Sequence, residues 1–173
     1  MKQTLFSLLL LLAINSIYSQ DHLDVFDIAR RGTVDDVRQL LKSDPNGFKT
    51  INKEGFSPLL LACYRGNVEV AKLLIETGCD INQKSSMGTP LMAAVVKGNN
   101  SITQFLLLKN ANVNLTDENG TTALMYAAMF KNKEIVILLL QKNADKKLLD
   151  NKGKSAFEYA VFTGNEEIIN LLK

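Results

Sequence analysis

The feature that most constrains this chain is that it repeats itself. Ser57, Thr89, Thr122 and Ser155 recur at intervals of 32, 33 and 33 residues, each closely preceded by a glycine (Gly55, Gly88, Gly120, Gly153). Two residues after each hydroxyl stands a large apolar residue (Leu59, Leu91, Leu124, Phe157), and five after it an alanine (Ala62, Ala94, Ala127, Ala160). Ten after it is always asparagine (Asn67, Asn99, Asn132, Asn165), and thirteen after it is always β-branched (Val70, Ile102, Ile135, Ile168). Paired apolar positions close each unit: Leu73-Leu74, Phe105-Leu106, Leu138-Leu139 and Leu171-Leu172. A chain with this period folds as a solenoid, in which each unit buries its apolar face only against its neighbours.

Each column has a physical task. Glycine supplies the positive φ of a tight turn. The Ser or Thr accepts a backbone N–H at the start of a helix, and Pro58 and Pro90 follow where a missing N–H costs nothing. Ser155 and Glu158 are spaced as a capping box. The alanine lets two helices approach, and Gly66, Gly98 and Gly164 end the first helix. The asparagine is placed to cap a second helix, and Glu69, Glu134, Glu166 and Glu167 suit that helix's positive end.

Asn52-Lys-Glu-Gly-Phe-Ser-Pro-Leu59, Gly88-Thr-Pro-Leu91 and Asp117-Glu-Asn-Gly-Thr-Thr-Ala-Leu124 resemble the turn and helix start of the ankyrin repeat. Gly78-Cys-Asp-Ile-Asn82 and Asn110-Ala-Asn-Val-Asn114 are similar to the loop after that family's second helix. The resemblance covers roughly residues 24–173. It implies an all-α solenoid of about five helix-turn-helix units with short β-turn fingers. The expected units are an N-terminal capping repeat at 21–48, repeats at 49–81, 82–114 and 115–147, and a C-terminal repeat at 148–173.

Several positions depart from the family pattern. Leu60, Met92, Met125 and Glu158 stand where the family often has His. The second repeat lacks a residue between Gly88 and Thr89, which predicts a shorter finger, and Ser85 replaces the usual turn Asp. Lys131 replaces the inter-helix Gly, which predicts strain or a different turn. Lys146-Lys147 replaces the usual Val-Asn. No turn motif precedes the first helix pair, and its charged positions (Asp24, Asp27, Asp35, Asp36, Arg38) suit an N-terminal cap.

The first twenty residues stand outside this pattern. Lys2 is followed by a nearly unbroken apolar run from Leu5 to Ile14, and then by small or polar residues. That is the layout of a secretory signal peptide. The run is too short to span a bilayer, which needs roughly 20 residues. Cleavage is expected after Ser19 or Gln20, leaving no membrane anchor; the alternative is an uncleaved anchor. The short basic start reads as bacterial, with the periplasm or the exterior as destination. The formal charge of +2 argues against a strong nucleic-acid binder.

No constellation for catalysis stands out. The single histidine, His22, reads as a surface residue of the mature N-terminus. No phosphate-cradling glycine loop occurs, no metal set is present, and no cofactor is expected. Cys63 occupies the column of Val95, Ala128 and Val161, and Cys79 that of Ala111 and Ala144, so both read as small core residues. The alternative is a disulfide or redox pair, which an exported protein could form. Asn-x-Ser/Thr triplets begin at Asn99, Asn114 and Asn119, where the repeat itself demands asparagine.

The resemblance implies a binding protein rather than an enzyme, with a protein partner held on the concave face by fingers and first-helix ends. Carried over position by position, the partner-binding residues are Phe56, Tyr64, Arg65, Met87, Val96, Lys97, Met129, Phe130 and Phe162, with Arg30 and Arg31 at one end. The concentration of Phe, Tyr, Met and Arg matches interface centres. The competing reading is packing onto neighbouring repeats, for which Phe162 is the foremost case. The expected function is an exported, monomeric, non-catalytic protein-interaction module. An inhibitor or immunity-type protein, or a secreted effector acting on a host protein, would use the same surface.

Overall fold

The computed structural model describes residues 24–173. The export segment and His22 lie outside them. The described residues hold ten α-helices and no strand. They run α1 (Val25–Arg31), α2 (Val34–Ser43), α3 (Pro58–Arg65), α4 (Val68–Glu76), α5 (Pro90–Val96), α6 (Asn100–Leu108), α7 (Ala123–Met129), α8 (Lys133–Gln141), α9 (Ala156–Thr163) and α10 (Glu166–Leu172). One 3₁₀ turn, Gly47–Lys49, follows α2 and buries Phe48. The odd-numbered helices stack on one another in sequence as one layer and the even-numbered helices as a second; the odd layer is the more closely packed. The cause is the alanine column: Ala62, Ala94, Ala127 and Ala160 are fully buried where one odd helix crosses the next. Closer approach on one side curves the stack, with the odd helices inside the curve.

The caps follow the sequence closely. Ser57, Thr89, Thr122 and Ser155 each accept the backbone N–H three residues on. Ser155 and Glu158 complete a reciprocal box, as do Thr33 and Asp36 in the first unit. Asn99, Asn132 and Asn165 cap the second helices. Asn67 does not. Its Nδ2 donates instead to the carbonyl of Gly32 at 2.9 Å, fastening the second unit to the first.

The finger of the second repeat is indeed shorter. Its ends pair through Ser85 and Gly88, three residues apart, at 2.9 Å in both directions, whereas Asp117 pairs with Thr121 and Asp150 with Lys154, four apart. Ser85 Oγ takes part of the missing carboxylate's role by accepting from Met87 N. Gly88 has φ +89°, and a Cβ there would fall 2.3 Å from Met92 Sδ. Lys131 adopts the left-handed conformation of the glycine it replaces, with φ 56°.

One core position is imperfect. Thr103 is fully buried on α6 and its Oγ1 has no hydrogen-bond partner. Its column holds Ala71 and Val136, both buried. Replacing a buried, unpaired hydroxyl with a methyl of the same shape removes a desolvation penalty of about 1–3 kcal/mol. Thr103→Val is therefore expected to raise the urea midpoint, by about 1 kcal/mol of stability; an unchanged or lower midpoint would contradict this.

Candidate protein-binding groove

The inner layer presents its last helical turn to solvent. Residues seven and eight positions after each cap project there: Tyr64 and Arg65, Val96 and Lys97, Met129 and Phe130, Phe162 and Thr163. Phe130 is 55% exposed, Phe162 84% and, on a finger, Met87 43%. Phe56, Tyr64 and Met129 are half-buried, with one side packed on the core, and Val96 is half-buried as well. Lys97 Nζ lies 5.0 Å from the centre of the Tyr64 ring, and Lys154 Nζ lies 5.8 Å from those of Tyr159 and Phe162. Arg30 and Arg31 both lean on Asp27, at 3.4 and 3.6 Å.

One competing reading and one expectation give way here. Phe162 stands in the partner-binding set, with packing onto a neighbour as the competing reading, and it is the most exposed residue of that set. Val161 was placed in a buried column, and it is 51% exposed although Cys63, Val95 and Ala128 in that column are fully buried. The reason is shared. Each inner first helix is packed against the next, and among the described residues no first helix follows α9.

The structure adds two residues that the sequence reading passed over. Tyr126 and Tyr159 stand four positions after their caps and face the fingers. Tyr126 Oη donates to Asp117 Oδ2 at 2.6 Å, and Tyr159 Oη donates to Asp150. Each Asp also accepts two finger amides through Oδ1: Asn119 and Thr121 for Asp117, Lys152 and Lys154 for Asp150. The signal was present, since an Asp precedes a Tyr by nine residues in both repeats. Tyr126 also lies stacked on Phe130, with centroids 6.4 Å apart and planes 14° from parallel. This side of the groove is thus a set of aromatic rings braced against the fingers.

These braces give the fold a pH window. Burial, followed by the hydrogen bond to Asp117, pushes the Tyr126 phenol up to about 12. The bond to Asp150 and then burial do the same for Tyr159. Tyr159 and the finger amides hold Asp150 below its usual range. Asp36 and Glu158 are held low by Thr33 and Ser155. Groups with raised values stabilise fully below their unfolded pKa, about 10 for Tyr, and that contribution fades as pH rises towards the folded value. Groups with lowered values stabilise above their unfolded pKa, about 4, and lose it as pH falls further. The urea midpoint is expected to be flat between about pH 5 and 9 and to fall on both sides. A midpoint that rises below about pH 4 would contradict the capping carboxylates' role.

Cys63 and Cys79 are both buried and both free. Burial pushes both thiols up, and Cys79 Sγ donates to the carbonyl of Phe48 at 3.3 Å. Protonated, buried thiols are poor nucleophiles. Among the described residues no group of three or more His, Cys, Asp or Glu is placed to hold a metal, and no helix is long and apolar enough to cross a membrane.

A family model of ankyrin repeats matches residues 25–117 and 91–173. The chain is an ankyrin-repeat protein. Similar proteins include the rat ankyrin repeat and SAM domain-containing protein 6, 35% identical over 102 residues, which cover 58% of this chain and 12% of the relative. A probable E3 ubiquitin-protein ligase of rice (Oryza sativa subsp. japonica) is 39% identical over 105 residues, covering 58% of this chain and 21% of the relative. The human protein phosphatase 1 regulatory subunit 27 is 30% identical over 111 residues, covering 64% of this chain and 72% of the relative. The chain thus spans a small part of the rat and rice relatives and most of the human one. The repeat array of this ankyrin-repeat protein is a protein-interaction module.

Proposed function

We propose that this chain is an exported, non-catalytic binding protein that seats a single protein partner in the groove lined by the odd helices and the fingers. The carrying observation is the exposure of Phe130 and Phe162 at the ends of first helices and of Met87 on a finger. Large apolar side chains left in water mark an interaction site; Ile51, Leu108 and Leu149 are exposed as well, but none of them stands at a first-helix end. Phe130, Met129, Tyr64 and Phe56 serve as anchors, with Met side chains adapting to the partner. Export rests on Lys2, the apolar run Leu5–Ile14 and the small or polar residues after it.

The test is cross-linked affinity capture from the extracytoplasmic fraction of the producing cell, read by mass spectrometry, with wild type beside Phe130→Glu. Phe130 is more than half exposed, so the variant is expected to keep its helical circular dichroism. A charge at an apolar anchor should weaken binding by more than about tenfold. A partner retained equally by a folded Phe130→Glu would move the site off this face.

A further inference from the structure

The groove is chemically polar along its length. Its solvent-facing helix ends and fingers carry seven cations against two carboxylates, or three with Asp27, in a chain whose formal charge is only +2. Even with the buried finger carboxylates of Asp117 and Asp150 added, positive charge outweighs negative on this face. Within the groove Arg30 and Arg31 each contact a carboxylate, that of Asp27. Among the described residues none lies within ion-pair distance of Arg65 or Lys97. The column that holds Arg65 and Lys97 in the first two full repeats then changes to Phe130 in the third. The helix-end cations Arg65 and Lys97 thus lie towards the N-terminal end and the exposed rings Phe130 and Phe162 towards the C-terminal end, where Lys154 stands beside Phe162.

Resting on the concave-face reading, we propose that the occupant is an extended polypeptide segment. It would carry carboxylates at the end that lies over Arg65 and Lys97, and a large apolar side chain at the end that lies over Phe130 and Phe162. The five odd helices set its length. Four helix-to-helix steps of about 8–10 Å span roughly 32–40 Å, which an extended chain at about 3.3 Å per residue covers in about ten to twelve residues. Carboxylates reaching Arg65 and Lys97 find cations that have no carboxylate partner to give up. An aromatic or leucine side chain at the far end covers rings that otherwise face water. A single-stranded nucleic acid fits less well, since it needs cations for its phosphates all along the groove, and the helix-end column that holds Arg65 and Lys97 continues as Phe130 and Thr163.

The probe is a phage-displayed library of random dodecamers, selected on the whole chain in three forms: wild type, Phe130→Glu, and the double variant Arg65→Glu/Lys97→Glu. Wild type is expected to enrich peptides with Asp or Glu clustered at one end and Phe, Leu or Trp at the other. A resynthesised peptide should bind the double variant at least about tenfold more weakly at low salt, with a smaller difference near about 0.5 M salt, where exposed charges are screened. Enriched peptides without acidic bias, still lost in Phe130→Glu, would overturn the polarity and leave the groove reading standing. Peptides held equally by all three forms would overturn the groove reading itself. Failure to enrich any dodecamer, or tighter binding of oligo-dT across the same surface, would overturn the extended-polypeptide assignment.

Discussion

Leu124→Ala is expected to destabilise the protein by about 2–5 kcal/mol, the cost of deleting a fully buried leucine side chain whose cavity cannot collapse. Leu124 is 1% exposed in the first turn of α7, a helix packed between α5 and α9 in the inner layer. The solenoid magnifies the effect. Each unit is held only by its neighbours, so weakening the third full repeat also weakens its contacts with the second and with the last. The expected result is a lower urea midpoint together with a broader transition, as the two ends of the array begin to unfold separately. Phe157→Ala provides the comparison. Phe157 holds the same column in the final repeat but is only half-buried, so its loss should cost less despite the larger side chain. A Leu124→Ala protein within about 1 kcal/mol of wild type would mean that the array relaxes around the cavity.

Most of this architecture was legible in the sequence because it is local and repeated. Caps, turn glycines and the two apolar columns depend on residues a few positions apart, and four copies separate signal from accident. The failures occur where the surroundings of a column change. Val161 and Phe162 occupy columns whose inner members lie on helices packed against a following first helix, and none of the described first helices follows α9. Asn67 occupies a cap column, but the unit before it offers the unpaired carbonyl of Gly32, and the amide turns to that partner. The groove was legible as a list of positions, since helical spacing places residues seven and eight after the cap at the helix end. Their exposure was not legible, because it depends on how far each ring lies back on the core. Tyr126 and Tyr159 were missed for a different reason. A tyrosine in a helix reads as apolar filling, and only the finger above it shows that its hydroxyl has a designated acceptor.

That acceptor yields the second large effect. Asp117→Ala is expected to cost about 2–4 kcal/mol, since it removes a charged acceptor from three donors at once. Thr121 N is buried, and losing its bond at 2.9 Å leaves an amide that water reaches poorly. Asn119 N, on an exposed residue, recovers a water bond more readily. The Tyr126 hydroxyl, half-buried, falls between these cases. Asp117→Asn should be milder, because its carbonyl oxygen still accepts both finger amides and the phenol can reorient towards the new amide group. The damage should also spread along the fingers. Asn151 donates its backbone N–H to the carbonyl of Asn119 and its side chain to that of Glu118, at 2.9 and 3.0 Å, so the finger of the last repeat leans on the third. Amide exchange in Asp117→Ala should therefore accelerate across 116–122 and, to a lesser degree, across 150–154, with the helices protected almost as in wild type. Partner affinity should fall with it: Tyr126 stacks on Phe130, and a ring released from its finger no longer holds its neighbour in place. Acceleration confined to 116–122 would show that the fingers move independently, and unchanged affinity would show that Phe130 is positioned by its helix alone.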